Sequence, residues 1–581
     1  MSAPDQRTSS GRRYLMLTVL IVAAAALVWR ALDLQLHQKT FLQNQGDARH
    51  LRVVPLPSHR GSVVDRNGDP LAVSTPVDSV WVNPKELAAS RDTWPALTAA
   101  LEWDDDRLHR TIAGRIQREF VYLQRHARPA LAARVTELKV PGVYLQREYR
   151  RYYPAGEVVG HVVGFTDVDD HGQEGLELAY DEWLSGEDGS KRVLRDRYGR
   201  VVEDIESIRT PQHGHDLQVT VDRRIQYLAY RALKAAVQHH GAKSGSVVVL
   251  DPSTGDVLAM VNQPAYNPNN RADRESQSYR NRAVTDVFEP GSTIKPFIVA
   301  AALESGRFRP DSPVDTTPGL LRVRNHTVHD LRNYGRIDVA TVIKKSSNVG
   351  ASKLALALAP QEVWALLNRA GFGTATGVGY PGESDGILTD FDRWSDVHRA
   401  TLAYGYGLSV TPLQLARAYA AIANGGVLPP VTLNIDAPVE RTETRVMSKE
   451  TARRVRNMLE SVVAPGGTGL RASVPGYRVA GKTGTVRKAA QGGYAEDRYT
   501  AVFAGLAPAS SPRLVVVVTV DEPAGTEYYG GQVAAPVFAE VVGGALRLLG
   551  ISPDDRSMRL RRVTLAARAD WPAGSSARAV Q

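Results

Sequence analysis

Apolar positions recur along this chain in three rhythms, and each predicts a different kind of element. From Tyr14 to Trp29 they run almost unbroken, preceded by Arg7, Arg12 and Arg13 and extended past Arg30 by Ala31 and Leu32. At about 1.5 Å per residue, Tyr14 to Leu32 covers roughly 28 Å, enough for a bilayer if Arg30 reaches back to the interface. The small residues Ala23 to Ala26 lie inside the run and are followed by Leu27-Val28-Trp29, so a retained anchor fits better than a cleaved signal peptide. The basic flank keeps the N-terminus in the cytoplasm and sends the remaining chain outward.

Beyond the anchor the pattern becomes mixed. Leu32 to Gln45 reads as a continuing helix or stalk. Asn67-Gly68 lies between β-prone segments and predicts a hairpin. The stretch near 85 to 140 reads as helices, among them Glu86 to Ala89 and Ala130 to Leu138, the latter opened by Pro129. Arg151 to Gly156 and the tract through Gly175-Leu176-Glu177 read as loops. No clustered acid, base or ligand emerges from this region, which predicts an elongated, non-catalytic pedestal.

A polar, turn-rich boundary follows at Thr210 to His215, and then a third rhythm of short apolar runs and turns. It predicts a strand over Asp216 to Val221, a helix from Arg223, and a hairpin of Ser246 to Leu250 with Asp256 to Val261. Phe297 to Leu303 is a helix that is apolar all round and therefore buried. Asp338 caps a helix through Lys345, a second helix runs from Ala351 to Leu358, and Thr411-Pro412 opens another that Gly425-Gly426 closes. Three strands (Arg478 to Val486, Tyr499 to Leu506, Arg513 to Val520) precede a helix from Ala535 to Leu549. Short connections make these strands antiparallel, and helices then cover the sheet in an α+β layer fold. The implied order is a cytoplasmic tail (1–13), an anchor (14–34), a pedestal (35–212), a catalytic domain (213–550) and a poorly ordered tail (551–581).

Composition narrows the chemistry. The 581 residues contain no cysteine, which excludes a thiol nucleophile, a disulfide framework and a thiolate-bound metal. A net charge of +9 is modest for this length and its charges are mixed, so the surface reads as solvated, and no nucleic-acid motif accompanies it.

One stretch carries a nucleophile with a base. Glu289-Pro290-Gly291-Ser292-Thr293-Ile294-Lys295-Pro296 sets Ser292 and Lys295 three apart at the start of the apolar helix, where positions i and i+3 share a face. A serine hydroxyl is activated by a neighbouring amine only when that amine is neutral, and burial beside other cations achieves this. A lone S-x-x-K is usually just a helix cap beside a solvated lysine. Here Ser346-Ser347-Asn348 and Lys482-Thr483-Gly484-Thr485 follow in order, about 50 and about 190 residues later, and the set of three changes that reading. Ser346 to Asn348 fall at the corner between two helices, where side chains can project into a cleft.

Other constellations fail on context. Gly476 to Thr483 matches G-x-x-x-x-G-K-T, but a P-loop requires a helix after it, and Gly484-Thr485-Val486 is a poor helix start. His326 and His329 lack a third ligand and read as loop histidines. No G-x-S-x-G elbow is present. Glu383, in Pro381-Gly382-Glu383, is left without a role.

Together the three motifs, the anchor and the pedestal resemble the class B penicillin-binding proteins, and Ser-Ser-Asn is the form of the middle motif usual among them. Gln45 to Arg49, Leu71 to Val77, Gly405 to Pro412 and Tyr529-Gly530-Gly531 are similar to segments of the division-specific septal transpeptidases of that class. The resemblance covers roughly residues 12 to 550. It implies a serine β-lactamase-like catalytic domain acting on peptidoglycan stem peptides that end in D-Ala-D-Ala. Ser292 would attack the penultimate D-Ala carbonyl and Lys295 would take its proton. Backbone N–H groups of Ser292 and Thr485 would hold the oxyanion. Ser346 would relay the proton to the departing D-Ala, and Asn348 would hold the substrate amide. Lys482, Thr483 and Thr485 would bind the terminal carboxylate, with Ser347 and Gly484 completing the substrate site. An amine of a second stem peptide would then resolve the acyl-enzyme. The resemblance also implies acylation by β-lactams, a SEDS-type membrane glycan polymerase and other division proteins as partners, an inner-membrane address, and neither cofactor nor metal. A β-lactam sensor or β-lactamase on the same fold, and a division scaffold with a vestigial site, are the rival expectations.

Overall fold

The computed structural model describes residues 7–39, 51–195, 201–270, 278–437, 444–490 and 493–555. The Gln45 to Arg49 segment, the far end of the expected stalk, and the tail beyond residue 555 lie outside these. The chain divides into two compact units, residues 1–59 with 186–214, and residues 60–185 with 215–581.

In the first unit a helix spans Arg7–Leu32 and passes into a short wide-turn segment, Asp33–His37. Between Gly11 and Leu36 it is long and apolar enough to cross a membrane, and none of that stretch is buried. The same unit holds an antiparallel three-stranded sheet of Leu51–Leu56, Gly189–Arg195 and Val201–Arg209.

The second unit begins with a sheet built on the long strand Pro70–Val82. The Asn67-Gly68 turn does join a hairpin, pairing Val63–Val64 with this strand. Two strands of this sheet were not anticipated. Val121–Ala127 interrupts the stretch that reads as helical, and Val143–Tyr152 takes in Arg151 and Tyr152, which read as loop. Gln146, Arg147, Glu148, Arg150 and Arg151 on the half-exposed strand Val143–Tyr152 hide its alternation. The expected helices are present as Pro84–Ala89 and Pro129–Leu138.

The expectation that this region holds no clustered acid and base is corrected. Glu177 is fully buried and receives Arg60 Nε and Arg151 Nε, each at 2.6 Å, while Arg60 also reaches Asp181 at 2.7 Å. Three segments far apart in sequence converge on one carboxylate. Buried charges of this kind are tolerated only when fully paired, which marks the cluster as structural.

Residues 215–555 form a sheet layered between helices. The strand expected over Asp216 to Val221 shortens to Leu217–Gln218. Helix α1 (Arg223–His239) leads to strands β1 (Ser244–Leu250) and β2 (Val257–Gln263), the expected hairpin. Helices α2 (Lys295–Glu304), α3 (Val339–Lys345), α4 (Asn348–Ala357), α5 (Pro412–Ala423) and α6 (Lys449–Val463) follow. Then come β3 (Ala480–Ala490), β4 (Gly493–Ala507), β5 (Leu514–Asp521) and helix α7 (Gly530–Leu548). The strands make one antiparallel sheet in the order β2-β1-β5-β4-β3.

Both faces of the sheet are covered, which explains unbroken runs such as Leu514 to Val520. Val247, Val249, Val516 and Val518 pack with Ile225 and Leu233 of α1 and Phe538 of α7. Their alternates Val248, Leu250, Val515 and Val517 belong to the core that holds Phe297, Leu413 and Tyr419. Every residue of α2 except Glu304 is buried, as an all-apolar helix requires. The P-loop alternative is ruled out, because Gly484 to Val486 continue strand β3. His326 and His329 are on a strand, not a loop, and His326 Nε2 lies 3.3 Å from the Tyr404 hydroxyl.

Candidate active site

Three chain segments meet where α2 begins. Gly291–Ile294 forms a tight 3-10 turn that delivers Lys295 as the first residue of α2, and Tyr419 of α5 ties the turn down by donating to the Thr293 carbonyl at 2.8 Å. Ser292 thereby stays half-buried on the surface of the turn, while Lys295 points inward and has no solvent exposure. Lys295 Nζ lies 3.0 Å from Ser292 Oγ.

The same amine touches the helix corner. It is 2.6 Å from the Ser346 carbonyl, 3.1 Å from Ser346 Oγ and 2.7 Å from Asn348 Oδ1. The corner forms because Ser346 ends α3 in a left-handed conformation (φ 59°), which turns its hydroxyl and carbonyl the same way, and α4 starts two residues on. The second helix therefore opens at Asn348, three residues earlier than Ala351.

The third segment is β3, the edge strand. Lys482 is fully buried, and its amine reaches Ser346 Oγ at 2.9 Å and the Thr483 carbonyl at 3.0 Å. Gly484 allows the strand to approach the turn that holds Ser292, since a Cβ there would sit 3.1 Å from Thr293 Cγ2 and 3.2 Å from the Pro290 carbonyl oxygen. The Thr483 hydroxyl is 2.8 Å from that of Thr468, and Thr485 Oγ1 accepts from the Gly530 N–H at 3.0 Å.

Electrostatics suit an amine that works unprotonated. Burial, and then the charge of Lys482, hold the Lys295 pKa well below the ordinary lysine value, with Asp330 opposing them. Burial brings Lys482 down to about 7. Without its extra proton the Lys295 amine has a lone pair for the Ser292 proton and two hydrogens, which suit the Ser346 carbonyl and Asn348 Oδ1.

Of the residues anticipated from sequence, Ser292, Lys295, Ser346, Asn348 and Lys482 come together within hydrogen-bond reach, with Thr483, Gly484 and Thr485 along the adjoining strand. Ser347 does not join them. Its hydroxyl is buried, donates to Asp330 at 2.6 Å and accepts from the Gly350 N–H at 2.8 Å, so it caps α4 and cannot also reach a substrate.

Asp330 escaped the sequence reading. Its carboxylate accepts from Ser347 Oγ, from the Asn348 N–H at 2.5 Å and from the Val349 N–H at 3.0 Å, fixing the corner that presents Ser346 and Asn348. A cap supplied from 17 positions upstream leaves no local signature. Tyrosines also flank the site unannounced. Glu289 accepts from the Gly407 N–H at 2.8 Å and the Tyr494 hydroxyl at 3.1 Å, and Tyr494 packs edge-on against Tyr406. Glu383 accepts from the N–H groups of Thr376 and Gly377 and has no part in the cluster.

Comparison with known proteins agrees with this geometry. Residues 245–543 match the family described as "Penicillin binding protein transpeptidase domain", and residues 55–219 match the "Penicillin-binding Protein dimerisation domain". The chain is 44% identical over 551 residues to the peptidoglycan D,D-transpeptidase FtsI of Escherichia coli K12, covering 94% of this chain and 93% of that one. It is 42% identical to the probable peptidoglycan D,D-transpeptidase PenA of Neisseria gonorrhoeae, over 94% of each. Among solved structures, penicillin-binding protein 3 of Mycobacterium tuberculosis with aztreonam superposes with a TM-score of 0.68 at 32% identity, covering 86% of this chain and 98% of that one.

Proposed function

This chain belongs to the class B penicillin-binding proteins, and on that footing we propose that Ser292 is the nucleophile of its peptidoglycan D,D-transpeptidase activity, with Lys295 as the base. The substrates are stem peptides ending in D-Ala-D-Ala, and β-lactams bind the same site. The observation that carries the assignment is the 3.0 Å approach of Lys295 Nζ to Ser292 Oγ inside a pocket whose burial favours the neutral amine.

Lys295 takes the Ser292 proton as Oγ attacks the penultimate D-Ala carbonyl. The tetrahedral oxyanion rests on the N–H groups of Ser292 and Thr485. Ser346, in contact with both lysines, passes a proton to the nitrogen of the leaving D-Ala, and the C–N bond breaks to leave an ester on Ser292. Asn348 orients the substrate amide, while Lys482, Thr483 and Thr485 hold the terminal carboxylate. An amine of a second stem peptide then attacks the ester, forming the cross-link and returning the proton through Lys295. Ser347 is withdrawn from the substrate set for the reason given above.

The dimerisation-type region is assigned to 35–212 and the transpeptidase domain to 213–550. The N-terminal helix makes the protein a single-pass inner-membrane protein, and Arg7, Arg12 and Arg13 favour a cytoplasmic N-terminus with the catalytic domain in the periplasm. The cross-linking is at the division septum, in company with a SEDS-type glycan polymerase (FtsW) and other divisome proteins.

Intact-mass analysis after exposure to a β-lactam, followed by peptide mapping, tests the assignment. One adduct is expected, on the peptide holding Ser292, and none in Ser292→Ala protein. A β-lactamase or sensor is disfavoured because Asp330, the acid beside the cluster, is engaged by three donors as the cap of α4. An adduct released within seconds would restore that reading.

A further inference from the structure

On the side of the catalytic layer formed by α1 and α7 lies a groove of about 800 Å³ that the acyl-transfer chemistry does not use. Its floor is set by close helix packing. A Cβ on Gly544 would sit 2.3 Å from Leu228 Cδ2, so the leucine of α1 seats in a notch that only glycine leaves open in α7.

Arg223, Tyr227 and Arg231 recur every four residues on α1 and present one stripe to this groove, with Arg224 beside them and Arg547 and Leu548 opposite on α7. Tyr227 is 53% exposed and Leu548 is 41% exposed. Arginine and tyrosine around an apolar floor is the composition of energetically dominant interface residues.

Arg223 and Arg231 are only loosely neutralised. Arg231 meets Glu540 at 3.5 Å and Arg223 meets Asp69 at 3.4 Å, between groups at least 40% exposed, a geometry worth little. Arg224 holds Asp222 at 2.6 Å, and the Arg547 guanidinium has no ion pair or hydrogen bond among the described residues. The groove is thus positive, apolar at its base and open.

We propose that this groove docks a protein partner through a segment that carries two or more carboxylates flanking an aliphatic or aromatic anchor. Discrete carboxylates can select Arg231 and Arg547 individually, whereas a continuous anionic lipid surface would also meet Asp69 and Glu540, the acids beside Arg223 and Arg231. A second copy of this chain would bring arginine to arginine. The chain's own C-terminal stretch is unsuited for the same reason, since residues 556–581 carry six arginines and one aspartate.

The test is a photo-crosslink in cells that depend on the full-length chain, with benzophenone-alanine replacing Tyr227 and, as a control, Gln238 on the same helix. The expected result is an adduct from position 227 only, whose sequenced peptide contains the acidic and apolar pattern. The double variant Arg231→Glu/Arg547→Glu should lower its yield at least fivefold, and reversing a partner acid to lysine should restore it. β-Lactam labelling of Ser292 should be unchanged throughout, which separates this proposal from the catalytic assignment and shows that the variant is folded. An adduct only to lipid or to another copy of the chain, a yield indifferent to the charge reversal, or no adduct above the Gln238 control would overturn it.

Discussion

Lys295 and Lys482 meet at one oxygen, the hydroxyl of Ser346, at 3.1 and 2.9 Å. The charge of Lys482 adds to burial in lowering the Lys295 pKa, so the protonation of Lys482 bears on that of Lys295. Ser346 is the atom through which they communicate.

Removing one partner should shift the other. In Lys482→Met the Lys295 amine loses a cationic neighbour and keeps its proton to higher pH, so the acid limb of the β-lactam acylation rate should move up. Asp330→Asn removes the opposing negative charge and should move that limb down. Stopped-flow acylation across pH, read from residual activity where needed, checks both; shifts in the same direction would refute the assignment of Lys295 as base.

Lys482→Met should also stabilise the fold while it disables the enzyme. A folded pKa of about 7 against an ordinary value of 10.5 means that below pH 7 both states carry the proton and the full burial cost is present. Between these values the unfolded chain binds the proton more tightly, so stability of the native protein rises with pH and the gain from methionine fades. The gain near pH 7 is on the order of a few kcal/mol, reduced by the acceptors left without a donor. Thermal melts at pH 7 and pH 10 read the difference.

Asp330→Ala should slow acylation by about 10- to 100-fold, since it frees two N–H groups and the Ser347 hydroxyl at the corner that positions Ser346 and Asn348. Asp330→Asn, able to accept part of that set, should recover some of the rate. A circular dichroism spectrum like that of the parent would show that the loss is local.

Gly405→Ala should damage the site from outside it. Gly405 has φ 93°, and a Cβ there would fall 2.1 Å from the Gly291 carbonyl, beside the nucleophile. Strain and clash together should cost about 2 kcal/mol or more and lower both the melting temperature and the acylation rate.

Glu177→Gln should have the opposite profile. It leaves Arg60 and Arg151 buried without their shared counter-charge and should destabilise by about 3–5 kcal/mol. Labelling of Ser292 in protein that remains folded should be normal, as measured by bound fluorescent penicillin per folded molecule.

How much of this was legible in the sequence depends on the range over which each signal acts. Local signals read well: the unbroken apolar run of the N-terminal helix, the Asp338 cap, Thr411-Pro412, and the valine runs of a sheet covered on both faces. Ser292, Lys295, Ser346 and Lys482 could be placed together because their motifs have a fixed order. Ser347 was misplaced because a cap and a substrate contact have the same sequence, and only the direction of its hydroxyl distinguishes them. Asp330, Thr468 and the Arg60–Glu177–Arg151 cluster act across long separations, where spacing carries no information. The strand Val143–Tyr152 was missed because its half-exposed polar residues hide its alternation.

The enclosure of α2 on all sides restricts how this protein can change. A helix with no solvent face tolerates little beyond exchanges of equal volume, so variants that evade an inhibitor by altering it would tend to lose the native state first. Room for adaptation lies instead on the tyrosine-lined rim, where a side chain can change shape without disturbing the interior.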